Sequence, residues 1–343
     1  MAKNLALLCA FLAALTLQAD ISLKNVALPQ AFLQVQTNQK AAKGSLADKI
    51  HQQKLSAPDA DENLKAAKNF ENICPPEVRD TLQLVAVLGG SAEDYADLPD
   101  NPANAKFILG FYSPASLKTT FDMIPMLSML KPELAPEPIK VAGYNGYKIK
   151  ATPEGKAPIT LAMVISKDQK TVLLAPEAIL KAAIAAPAPL SPILQAARDD
   201  FANDMCAIAA EIPQEHRKSL EELLADSSLD QAQKNALKGI KGVALRFGGD
   251  ATTLDVRLQA SVASAEEAKL LKESLLDVMV VPMAQQLLPS LLPGANFPQT
   301  IKAEHQGATL ALAVSLNEAD LNLLAALGED SLPDLLDDDD DED

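Results

Sequence analysis

Residues 242–260 read GVALRFGGDATTLDVRLQA. Val243, Leu245 and Phe247 alternate with Ala244 and Arg246 before Gly248-Gly249-Asp250. Leu254, Val256, Leu258 and Ala260 alternate with Asp255, Arg257 and Gln259 after it. Period two on both sides of a glycine turn predicts an antiparallel hairpin with one apolar face. A phosphate loop would need its glycines to run into a helix N-terminus, where free N–H groups meet the anion. Here they run into a strand. A calcium loop needs several closely spaced carboxylates, and only Asp250 and Asp255 are near. The glycines therefore read as a turn, and the chain as one built from hairpins.

The same grammar recurs on either side. Residues 81–88 and 106–112 read as strands. IKVAGYNGYKIKA (139–151) holds Asn145-Gly146 between alternating runs, the strongest short hairpin signal in the chain. Residues 159–166 and 171–175 flank a second turn, 204–212 reads as a strand, and 301–305 with 309–316 turns at Gln306-Gly307. Helices are announced by caps. Ser113-Pro114 and Ser191-Pro192 place serine before a first-turn proline. Ser264 with Glu267 forms a capping box, behind which Ala268, Leu271, Leu275 and Val278 share one face. Asn317 caps a last helix. The predicted class is α+β, with antiparallel β-hairpins and sheets covered by capped helices. The two halves follow a similar order, which raises a tandem duplication of one hairpin-helix unit. Antiparallel hairpins argue against a doubly wound parallel sheet.

The expected organisation is a signal peptide at 1–19, a polar N-terminal arm at 20–70 outside any core, a first α+β half at 71–200, a second at 201–328, and an acidic disordered tail at 329–343. In the signal, Lys3 precedes an uncharged run over 5–17, followed by a small residue. That order fits an export signal cleaved after Ala19 and predicts a periplasmic or secreted protein. No stable membrane span is expected after cleavage, because the best later candidate, 278–292, carries Pro282, Pro289, Gln285 and Gln286. Cys74 and Cys206 remain after cleavage, and an even count in an exported chain makes them a candidate disulfide pair.

Of the net charge of −16, ten negative charges belong to the tail, which includes Asp337, Asp338, Asp339, Asp340, Asp341, Glu342 and Asp343. The body carries the other six. Without a basic patch or a tryptophan, nucleic-acid binding is not expected. His51, His216 and His305 form no paired ligand motif. No serine sits in a nucleophile context, and Gly89-Gly90-Ser91 lacks the flanks of an elbow. No cofactor is expected. The reading is an exported, soluble, non-enzymatic protein that binds a partner protein or an apolar ligand, or serves as an envelope scaffold. The alternatives are an exported hydrolase with a site assembled from scattered residues, and a cation or polybasic binder acting through the tail. The residues name neither a specific partner nor an oligomeric state.

Overall fold

The computed structural model describes residues 20–55, 74–90, 105–126, 136–151, 159–199, 202, 204–212, 214–225 and 227–331. The expected signal and residues 332–343 of the tail lie outside the described residues.

Among the described residues twelve strands form a single antiparallel sheet. They are β1 Ala31–Asn38, β2 Gln83–Gly89, β3 Phe107–Tyr112, β4 Glu137–Val141, β5 Tyr144–Ala151, β6 Ile159–Ile165, β7 Thr171–Pro176, β8 Cys206–Glu211, β9 Gly242–Gly249, β10 Thr253–Ser261, β11 Lys302–Gln306 and β12 Thr309–Asn317. The order across the sheet is β11-β12-β10-β9-β8-β1-β2-β3-β7-β6-β5-β4. The helices that matter below are α1 Leu46–Leu55, α2 Pro76–Arg79, α3 Lys118–Asp122, α4 Glu177–Ala185, α5 Pro192–Asp199, α6 Gln214–Ala225, α7 Gln231–Lys238, α8 Ala265–Leu291 and α9 Glu318–Ser331.

The α+β class is as expected, and both halves share one sheet. Each half leaves the sheet after an inner strand, re-enters at the far edge and zigzags back. β7 thus returns beside β3, and β12 beside β10. The hairpins β4–β5 and β11–β12 close the two opposite edges.

The expected polar arm is corrected. β1 lies within residues 20–70, yet it is the central strand that joins the halves, pairing with β2 on one side and β8 on the other. Gln34 and Gln36 are 0% exposed, and Ile21, Val26 and Leu28 belong to the core. Buried amides need partners, and α5 supplies them. Gln34 Nε2 donates to Leu194 O at 3.1 Å, and Gln36 Nε2 to Ala197 O at 2.5 Å. Asn38 Nδ2 reaches Ala202 O at 3.3 Å just beyond. Ala197 lies in the last turn of α5, where carbonyls lack an intrahelical donor. The polar residues that look like a solvated arm are the seam between strand and helix.

The main core lies between one sheet face (Val85, Val87, Ile108, Val164, Leu173) and α4 and α5 (Leu180, Ile184, Ile193, Leu194). Neighbours in sequence face the other way, as a pleated strand requires. Phe111, Met163, Ile165 and Val172 meet α2 and α3 through Val78, Leu117 and Phe121.

The β9–β10 hairpin forms with Leu245 opposite Leu258 and Phe247 opposite Val256. On β9 the buried side is the opposite of the one expected, while on β10 Asp255 and Arg257 are exposed as expected. Ala244 and Arg246 are buried, whereas Leu258 is 49% exposed. Arg246 can be buried because its Nε meets Asp204 Oδ2 at 2.5 Å. At the turn, the Asp250 carboxylate accepts the Thr252 and Thr253 N–H groups at 2.7 and 3.0 Å. The Thr252 hydroxyl, with these two N–H groups, holds the Asp250 pKa down to about 2. The turn spans Asp250–Thr252; of the expected Gly248-Gly249-Asp250 turn only Asp250 lies in it, because Gly248 and Gly249 end β9 opposite Asp255 and Leu254.

The β4–β5 turn is also displaced from its expected place. The β4–β5 hairpin turns at Ala142-Gly143, with φ of 48° and 86°, and not at Asn145-Gly146. Gly146 is required within β5 for another reason: a Cβ there would lie 2.0 Å from Met163 O of β6. Gly146→Ala should therefore lower stability by about 1–3 kcal/mol, as overpacking does. Gly143→Asn, at an open position where Asn tolerates positive φ, should cost far less. Urea melts of the two variants compare them.

The helix expected at Ser113-Pro114 begins later, at Lys118, because the Ser113 hydroxyl accepts the Ala115 N–H in a local turn.

Candidate functional site

α8 begins at the predicted Ser264 cap, with the Glu267 carboxylate one residue short of a full capping box. Ser264 Oγ accepts the Glu267 N–H at 3.2 Å, while the Glu267 carboxylate reaches Ala263 N at 3.1 Å. Ala268 and Leu271 are fully buried against Ala236, Val262 and Leu310. Leu275 and Leu276 pack partly against the same cluster. Gln233 of α7 donates to Ser274 O and Oγ at 3.3 and 3.1 Å. The first half of the helix is thus fixed to the body.

The second half differs. Pro282 and Pro289 were expected to cut this segment, but the helix runs through both to Leu291. Lys272–Val280 adopts widened π turns, and Val281 N–H bonds back to Leu276 O, five residues earlier. Pro282 has no N–H, and its ring crowds the carbonyl four residues back. A wider preceding turn relieves that crowding. It also delays each residue's return to its face. Val278, expected beside Ala268, Leu271 and Leu275 on the core side, is 65% exposed.

Beyond it, Met279, Met283, Leu287 and Leu291 recur every fourth residue and form one row. They are 51%, 53%, 51% and 70% exposed. With Val278 they make up five of the nine large apolar side chains exposed among the described residues, so the exposure is concentrated and not scattered. Nothing charged interrupts it: no Asp, Glu, Lys or Arg lies between Asp277 and Lys302. The far end is tied down by Gln285 Nε2, which donates to Ile301 O at 3.2 Å. Nearby, the Asn296 and Phe297 N–H groups bond Asp320 of α9. The body therefore presents a firmly held, uncharged Met/Val/Leu row. By length and composition α8 could cross a membrane, and its most apolar window is 0% buried.

A second apolar feature lies on the α2–α3 side of the sheet. It is a pocket of about 210 Å³ lined by Val78, Phe111, Leu117, Phe121, Met163 and Val172, among others. Its wall includes Thr120, whose hydroxyl is buried without a hydrogen-bond partner among the described residues.

Of the candidate site residues that the structure describes, one lies at these features. Cys74 is buried in the wall of this small pocket, while Cys206 sits on β8. Both thiols are free, so the candidate disulfide is not formed in this structure. β1 separates β8 from β2, and Cys74 belongs to the α2–α3 cluster beyond. Burial pushes both thiols up, away from the reactive thiolate. His51 is on α1, His216 is exposed on α6, and His305 is exposed on the edge strand β11. Among the described residues no three of His, Cys, Asp or Glu cluster as metal ligands. The exposed row on α8 escaped the sequence reading because its prolines suggested a break. The signal that could have found it is the charge-free run from 278 to 301.

No protein-family model matches the chain, and no curated protein matches it. Among solved structures, it is similar to crystal form III of TP0453, at 10% identity and a TM-score of 0.45, over 90% of this chain and 99% of that one. It is also similar to crystal form IV, at 10% identity and 0.43 over 90% and 97%, and to crystal form I, at 11% and 0.40 over 90% and 99%.

Proposed function

We propose that the protein is an exported, non-enzymatic binding protein that works at the cell envelope by laying the exposed row of α8 on a lipid surface. The observation that carries this reading is the row itself: five large apolar side chains, half to two-thirds exposed, on a segment without charge. Concentrated apolar exposure marks an interaction site. Five side chains offer on the order of a few hundred Å², short of the roughly 800 Å² that each partner brings to a standard protein interface. A lipid surface needs no matching pocket and no charged rim.

Docking on the surface suits α8 better than spanning. Its first turns are packed into the body, which leaves 278–291 free to meet lipid. At 1.5 Å per residue those 14 residues reach about 21 Å, less than the ~30 Å of a hydrocarbon core. The acidic body should favour zwitterionic over anionic lipid. The test is flotation of the mature protein with phosphatidylcholine vesicles. The expected result is protein in the lipid fraction, with less on vesicles rich in phosphatidylserine. Protein that stays at the bottom of the gradient with both would overturn the proposal.

A further inference from the structure

A different region carries a second site. The seam between β1 and α5 borders a cavity of about 640 Å³, within the size range of small-molecule sites. Arg198, in the last turn of α5, forms part of its wall. The guanidinium is largely buried and holds three neutral acceptors. Its Nη2 donates to Val26 O and to Gln34 Oε1, each at 2.6 Å, and its Nη1 to Leu23 O at 3.5 Å. No carboxylate among the described residues forms an ion pair with it. Asp199 follows it in the chain, but its exposed carboxylate accepts from Gln195 Nε2 at 2.7 Å. Among the described residues the Arg198 Nε–H is buried without a partner, as is the Oε1 of Gln36. Gln36 is 0% exposed and lines the same cavity.

Buried charges are ordinarily paired, because desolvation is costly. Burial here pulls the Arg198 pKa down to about 10, so the group stays cationic near neutral pH. Among the described residues the charged groups on the wall are Lys24, Arg198 and Asp199, with one positive charge in excess. Leu23, Val85, Pro189 and Leu190 supply apolar surface around them. Gln36 Oε1 wants a donor. We propose that this cavity binds a monoanionic amphiphile: a carboxylate for Arg198 and Lys24, an aliphatic body for the apolar wall, and a hydroxyl or N–H donor near the charge for Gln36. A hydroxylated aliphatic carboxylate meets all three demands. The site is independent of the α8 row, and either proposal can fail without the other.

The experiment is calorimetric titration of the mature protein at pH 7.5 with octanoate, 3-hydroxyoctanoate and 1-octanol. Saturable binding is expected for both carboxylates, tighter for the hydroxylated one. At least tenfold weaker binding is expected for octanol, which has the same chain without the charge. Arg198→Met should abolish the preference for carboxylate over octanol. Because Arg198 also clasps Leu23, Val26 and Gln34, that variant could unfold, so a second one is needed. Ala188→Phe adds bulk to the cavity wall and leaves Arg198 in place. It should keep the melting temperature and lose carboxylate binding. The proposal is overturned if octanol binds wild type as tightly as octanoate, if neither carboxylate binds, or if folded Ala188→Phe binds octanoate with wild-type affinity.

Discussion

Asp204→Ala is expected to destabilise the protein by about 3–5 kcal/mol, because it leaves a buried guanidinium without its carboxylate. Arg246 is 6% exposed, and its Nε sits 2.5 Å from Asp204 Oδ2. The pair bridges the start of β8 to the middle of β9, so its loss should loosen the second half of the sheet first. The size of the effect comes from a buried cation losing this carboxylate and not from the net worth of the pair. Asp204→Ala combined with Arg246→Met should therefore recover much of the loss, since an apolar pair of suitable volume often replaces a buried ion pair at little cost. Urea unfolding of wild type, both single variants and the double variant closes the cycle. A double variant as unstable as the sum of the singles would contradict this account of the pair.

The second large effect concerns function. Met283→Glu with Leu287→Glu should reduce association with phosphatidylcholine vesicles about 100-fold. Burying each of these side chains in lipid contributes roughly 1.5 kcal/mol at the lower end of the usual range, and 3 kcal/mol corresponds to about two decades in affinity. The carboxylates add a further penalty at the lipid interface. Both positions are already more than half exposed, so the folded protein should barely notice; a stability change within about 0.5 kcal/mol is expected. The control is Leu271→Ala, on the packed half of the same helix. It should cost about 2–5 kcal/mol of stability and leave vesicle affinity unchanged while the protein remains folded. Vesicle co-flotation and thermal melts of the same preparations separate the two effects.

Where sequence reading succeeded, the signal was local. The β9–β10 hairpin, the Ser264 and Asn317 caps and the edge hairpin at Gln306-Gly307 all reappear in the structure. Each is decided by a few neighbouring residues and their backbone preferences. Where it failed, the deciding partner was distant in sequence. Gln34 and Gln36 read as polar because nothing near them announces α5, some 160 residues later, whose carbonyls accept from their Nε2 groups. Ala244 and Arg246 read as a solvent face because Asp204 is not in view. Asn145-Gly146 is the better turn dipeptide, yet the turn falls at Ala142-Gly143, and the register leaves Gly146 against the β6 backbone. Of the candidate sites, the row on α8 was half legible. Its composition is plain in the sequence, but its exposure depends on the π turns around Pro282, which shift the helical phase by an amount no fixed period captures.

The claim that most needs testing is that the uncharged half of α8 is the lipid-facing surface. Hydrogen–deuterium exchange of the mature protein, with and without phosphatidylcholine vesicles, addresses it without any substitution. The account predicts added protection on binding in peptides covering 278–291, with 265–271 unchanged because those turns are already packed in the core. Protection that appears elsewhere on the protein while 278–291 exchanges as before would contradict it.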